Sequence, residues 1–272
     1  MEKKLDNTMQ TNHLFSFQRM LLLGKQSFII NKKLIGISLT GCTGILFLLL
    51  LFAQYKSHFI HWGNNSYMIV FTLLFFSTGI IYASFSFPAF RFKEKTMVYL
   101  MLPASSLEKF LYELIVRIVI FLLLMPVYFW LVANLEGIIV HSFVPELTNY
   151  KFSFGEAYSN MANQGRLKGW GELIFAQGIL FVLIASFTGA SHFSKSPLLK
   201  TMFTFSLILA GYSLFSYLLI KGFNLREYHP VHDRILFMDS ENSAKASSAI
   251  LSTLINLCLL TIAWFCLKEK EV

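Results

Sequence analysis

The 272-residue sequence predicts an all-α, polytopic membrane protein: six transmembrane helices, an N-terminal interfacial amphipathic helix and both termini in the cytoplasm. Hydrophobic residues make up 55% of the chain and charged residues only 14%, whereas soluble domains carry about 45–50% and ~25%. Phe alone occurs 29 times and the mean hydropathy is +0.58, which excludes a disordered chain, because such chains are poor in aromatics. Six stretches reach the length of about 20 mostly apolar residues that a membrane helix requires. Strands of an outer-membrane barrel are about half that length and alternate in polarity.

The elements follow in chain order. Residues 1–33 form a cytoplasmic N-terminus whose apolar runs, Met20–Leu23 and Phe28–Ile30, are too short to span. Arg19 and Lys25 within it would cost several kcal/mol at mid-membrane, so this stretch is expected to lie as an amphipathic helix in the interface. No short apolar core sits between a basic start and a small-residue cleavage site, which argues against a signal peptide. The six-span domain covers residues 34–267, with spans at about 34–53, 66–87, 111–134, 171–190, 201–220 and 247–267, and residues 268–272 form a cytoplasmic tail.

Charge sets the orientation. Of the 23 Lys and Arg residues, fifteen fall on the side that holds both termini and eight on the other. With the acidic residues included, the first side carries all of the formal +8 and the second sums to zero. The positive-inside rule therefore places both termini in the cytoplasm. Trp130, Trp170 and Trp264 fall at span ends, as aromatic-belt residues do. The three cysteines, Cys42, Cys258 and Cys266, all lie inside spans, so neither a disulfide framework nor a zinc-ligand spacing is present. His58 and His61, and likewise His229, His232 and Asp233, share loops without any further ligand pattern and read as solvated residues rather than metal ligands.

The most informative segment joins spans two and three, from Ser86 to Phe110. Pro88 closes the second span, Arg91, Lys93, Glu94 and Lys95 sit at the membrane surface, and Thr96 to Leu102, including Tyr99, could form about two helical turns before Pro103. Ser105 and Glu108 then make a capping box that opens the next helix. An ordinary basic loop obeying the positive-inside rule would look much the same.

The basic stretch, the Leu102-Pro103-Ala104-Ser105 motif and the Glu108-Lys109 start of span three resemble the permease subunits of ABC-2 type ABC transporters. The likeness of plan covers nearly the whole chain, although the segment from Leu135 to Lys168 is longer than the shortest members need. The resemblance implies that Arg91, Lys93, Glu94, Lys95, Thr96 and Tyr99 form the loop that couples to an ATPase. The chain has no phosphate-binding loop, since Gly41-Cys42-Thr43-Gly44 lacks the Lys and lies in an apolar span. Hydrolysis, with ATP and Mg, is thus expected on a separate ABC ATPase subunit, with no cofactor in this chain. Six spans are half the family's usual set, so a second permease copy, as homodimer or heterodimer, is implied.

Within the spans, Glu113 and Arg117 stand one helical turn apart and read as an intrahelical ion pair or as a contact that moves during transport. Pro126 predicts a kink. Gly36, Thr40 and Gly44 form a small-residue face for packing within the chain or at a dimer seam, and Ala185 with Gly189 repeats the pattern. Gln177 and Asn256 are candidates for interhelical hydrogen bonds or substrate contacts. No catalytic residue is identified: an intramembrane hydrolase needs a pair of catalytic groups, and only Glu113 and Arg117 are charged and embedded. The expected function is a permease subunit in the bacterial cytoplasmic membrane, exporting an amphiphile, lipid, peptide or drug. The alternative is a non-transport membrane protein such as an assembly factor, anchor or sensor.

Overall fold

The computed structural model describes residues 15–56, 62–91, 96–97, 99, 101, 104–143, 151–163, 170–222 and 241–271. Among these residues there is no strand. The helices are α1 (Phe17–Lys56), α2 (Asn64–Ser84), α3 (Ser106–Leu114), α4 (Ile120–Phe143), α5 (Phe154–Asn163), α6 (Trp170–His192), α7 (Pro197–Gly222) and α8 (Glu241–Glu271). A π-helical turn, Ile115–Val119, joins α3 to α4, and a 3₁₀ turn, Pro88–Arg91, follows α2. Six helices are long and apolar enough to cross a membrane: Phe17–Lys56, Asn64–Ser84, Ser106–Phe143, Trp170–His192, Pro197–Phe215 and Lys245–Lys270. The chain is a multi-pass integral membrane protein.

Two helices run beyond the expected span limits. The expected interfacial stretch and the first span lie on one helix: α1 has 40 residues, about 60 Å long at 1.5 Å per residue. Its sequence contains no proline, so nothing in the backbone breaks the hydrogen-bond ladder between the charged half and the apolar half. Around the expected third span, helical residues run from Ser106 to Phe143, nine residues beyond Asn134. Pro126 stands inside α4 without ending it; the irregular backbone lies upstream, in the π turn that carries Arg117.

The chain divides into two compact units. The first holds α1, α2 up to Gly79, α3, α4 and α5. Along α1, Leu46, Leu50 and Gln54 are buried at four-residue spacing, the ridge expected where one helix packs on another. Its core is aromatic: Phe129 lies 5.1 Å from Phe71 and 5.5 Å from Phe152, with Phe152 in turn 5.4 Å from Tyr67, centroid to centroid. Such tilted and edge-on pairs add to the area that the rings bury. Phe152 stands just before α5. Its backbone is clasped by Asn134, which donates from Nδ2 to Phe152 O and accepts from Phe152 N, both at 3.2 Å.

The second unit holds the last residues of α2, the 3₁₀ turn, α6, α7 and α8 up to Lys270. The last part of α6 is buried all round, from Leu183 to Ser191. At Gly189 a Cβ would fall 2.8 Å from Thr201 Cβ and nearer still to its hydroxyl, so the α6–α7 contact needs glycine there. Phe87 has φ 52°, a left-handed conformation unusual for a bulky side chain. Its buried ring lies 5.2 Å from that of Phe187, which holds the turn after α2 in place.

Candidate functional site

The first unit carries a polar cluster at each end of its helices. At one end, Ser105 caps α3, and Glu108 completes the capping box by accepting from Ser105 N at 3.0 Å through Oε2. Glu108 Oε1 does more than the local motif requires: it accepts from Ser16 N and pairs with Arg19 Nη2 at 3.0 Å. Glu108 is 0% exposed and the Arg19 side chain 37%, so the pair seats the start of α1 against the start of α3. One turn along, the Tyr112 ring approaches Gly24 of α1 closely enough that a Cβ there would stand 3.4 Å from it. Lys109, also buried, places Nζ 5.0 Å from the centroid of the Tyr99 ring, a cation–π contact.

This end holds part of the segment expected to couple to an ATPase. Thr96 and Tyr99 are half-buried in the first unit, whereas Arg91 belongs to the second. Arg91 turns back on its own chain, donating to Ser84 O at 2.9 Å and lying 4.6 Å from the Phe85 ring centroid. Lys93, Glu94, Lys95, Leu102 and Pro103 lie outside the described residues.

Farther along the same helix Glu113 and Arg117 form the intrahelical pair, Nε to Oε2 at 3.2 Å. Arg117 sits within the π turn. Turns of this kind widen the helix and often occur at functional positions.

At the opposite end of α1 and α4, Gln54, Tyr67 and Glu136 meet from three helices. Gln54 Nε2 donates to Tyr67 Oη at 2.7 Å and to Glu136 Oε2 at 2.8 Å, and the Tyr67 hydroxyl donates to the same Oε2 at 3.2 Å. All three residues are 0% exposed. The other carboxyl oxygen, Oε1, is buried and makes no hydrogen bond among the described residues. Sequence reading missed this trio, ending span three just short of Glu136. The signal was the apolar run Ile138–Val140 beyond it, which shows that Glu136 lies inside an apolar helix. Between the two ends, Thr43 Oγ1 and Tyr128 Oη share a hydrogen bond of 3.0 Å from α1 to α4.

The other residues singled out by sequence are placed as follows. Gly36, Thr40 and Gly44 are exposed along α1, nothing lies within 4 Å of a Cβ at either glycine, and the Thr40 hydroxyl donates to Gly36 O of its own helix. In the second unit, Gln177 Nε2 donates to Thr253 Oγ1 at 2.7 Å and Asn256 Nδ2 to Gln177 O at 3.4 Å, so these two amides join α6 to α8. Thr188 reinforces that seam by donating to Leu259 O at 3.1 Å. Lys270 Nζ donates to Ser191 O and His192 O at the C-terminal end of α6, where a cation satisfies orphan carbonyls. Cys42, Cys258 and Cys266 are free thiols. His58, His61, His229, His232 and Asp233 lie outside the described residues. No group of three or more His, Cys, Asp or Glu that could hold a metal occurs among the described residues. The chain matches no protein-family model, no curated protein and no solved structure.

Proposed function

We propose that the chain is the transmembrane permease subunit of an ATP-driven, ABC-2 type exporter in the bacterial cytoplasmic membrane, with both termini cytoplasmic. It works with a separate ABC ATPase that binds ATP and Mg, and with a second permease copy, identical or related. The cargo class is an amphiphile, lipid, peptide or drug. One observation carries the reading: the basic stretch from Arg91 to Lys95 leads into the capping box of Ser105 and Glu108, and that same Glu108 also holds Arg19 of α1. A push on the loop by a closing ATPase would reach two membrane helices at once through one buried carboxylate. Transport would follow from contacts that differ between the inward-open and outward-open states, since only such differences shift an equilibrium.

The test is a detergent pull-down of the full chain co-expressed with the products of the open reading frames that flank its gene. The wild type is expected to retain an ATPase that has a phosphate loop. Lys93→Glu with Lys95→Glu is expected to lower its recovery by about tenfold, the factor that ~1.4 kcal/mol of association free energy produces. A wild type that retains no such ATPase, or a double variant that retains it fully, overturns the reading.

A further inference from the structure

We infer that Glu136 is a proton-binding site: its carboxyl is held protonated in the closed Gln54–Tyr67–Glu136 cluster, and loss of that proton opens the contact between this end of α1, α2 and α4. The inference stands on the cluster's own geometry and does not rest on the transporter reading.

Both neutral partners converge on a single oxygen. Gln54 and Tyr67 direct their hydrogen bonds to Oε2, at 2.8 and 3.2 Å, and leave Oε1 buried and unbonded among the described residues. A carboxylate would carry part of its charge on that bare oxygen. Shutting an unpaired charge away from water costs several kcal/mol, and a group so placed neutralises instead. A carboxyl with its proton on Oε1 leaves one neutral donor there in place of a charge, which costs less.

Among the described residues no Lys, Arg or His bonds Glu136. Among the described residues of the surrounding elements, Lys56, Lys151 and Glu156 are exposed. On α1, Lys56 is exposed and lies 5.8 Å from the Phe52 ring centroid. Exposed Glu156 of α5 accepts from Asn64 Nδ2, and Lys151 before it is exposed. His141, further along α4, is half-buried. On α2 the titratable neighbour is Tyr67 itself. A bound metal ion is disfavoured, because hard cations take six or more oxygen ligands and this cluster offers one carboxyl with two neutral side chains.

The proton has a structural consequence. The three residues come from three helices and the cluster is sealed by aromatic rings, with Trp62 edge-on to Tyr67 at 5.3 Å between centroids. An ionised Glu136 would regain its hydration only by drawing water between those helices. Protonation thus favours the closed end, and deprotonation favours separation.

The experiment uses the full chain in lipid nanodiscs, followed by infrared spectroscopy of the protonated-carboxyl C=O stretch with 13C-labelled Glu, and by thermal unfolding across pH. Wild type is expected to show a protonated Glu band at neutral pH that Glu136→Gln removes. The wild-type midpoint is expected to fall as pH rises through the ionisation of Glu136, because the folded state binds the proton that the unfolded state has released; the Glu136→Gln midpoint lacks that component. A wild type with no such band at neutral pH, or with a pH slope equal to that of Glu136→Gln, overturns the inference. Should Glu136→Gln not accumulate, Tyr67→Phe is expected to shift the band by removing one hydrogen bond to the carboxyl, and a band that does not move overturns it equally.

Discussion

Glu108 and Glu136 stand near opposite ends of one long helix, roughly 40 Å apart along its axis, and both are fully shielded from solvent. They are buried in different ways. Glu108 uses both oxygens, one on the capping box and one on Ser16 and Arg19. It sits in the first turn of α3, where the helix dipole and free N–H groups favour negative charge. Among the described residues Glu136 is bonded by no cation and uses one oxygen on two neutral side chains. The same residue type thus fastens α1 at both ends, once with both carboxyl oxygens engaged and a cation beside them, and once with only neutral donors on a single oxygen among the described residues. The first fastening suits a permanent joint, and the second suits one that changes with its protonation.

The sharpest way to break this contrast is Glu108→Ala. The substitution strips the capping box, leaves Arg19 without this carboxylate and frees Ser16 N. Removing one partner of a buried, charge-assisted network is expected to cost about 3 kcal/mol, the half-exposed Arg19 keeping the loss at the lower end of the range. Denaturant unfolding in detergent measures it. A loss below about 1 kcal/mol, the value of an N-cap alone, would show that the link to α1 contributes nothing. The Glu136→Ala counterpart is expected to lose less, since its network is neutral.

The second unit sharpens the comparison by fastening helices without charge. Gly189 stands so close to Thr201 that a Cβ has no room. Gly189→Ala is expected to destabilise by about 2 kcal/mol through overpacking, with Gly36→Ala, on an exposed face with nothing within 4 Å of the Cβ, as the control. Equal effects at the two glycines would break the distinction between a packed glycine and an open one.

Sequence alone separates these sites only in part, for physical reasons. The six spans are legible because length and hydropathy are local properties. The capping box is legible because Ser105 and Glu108 are three residues apart. The far partner of Glu108 is not, since Arg19 lies in a distant segment whose charges, read locally, suggest a surface helix. Continuity of α1 depends on the backbone, and hydropathy says nothing of it. Gly36, Thr40 and Gly44 repeat at the same four-residue spacing as Ala185 and Gly189, yet the first three are exposed and the last two are buried. Gln54 and Glu136 each look like the polar end of a span, and only the fold brings them within hydrogen-bond reach.

The smallest expected effect probes the weakest contact at the Glu136 end. Tyr67→Phe keeps the ring that packs on Trp62 and Phe152 and removes only the hydroxyl between Gln54 and Glu136. Gln54 still donates to Oε2, so the carboxyl keeps one of its two bonds and the loss is expected to be about 1 kcal/mol. A double-mutant cycle with Glu136→Gln isolates the hydroxyl–carboxyl term. If Glu136 binds a proton in the closed cluster, its replacement by a neutral amide leaves most of the network intact, and the coupling stays near ~0.5 kcal/mol. If Glu136 is ionised, the hydroxyl donates to a charge, and the coupling rises to about 1.5 kcal/mol or more. The size of that term therefore reports whether the far end of the bundle is held by a neutral group or by a charge, which is the difference between the two glutamates stated in energy.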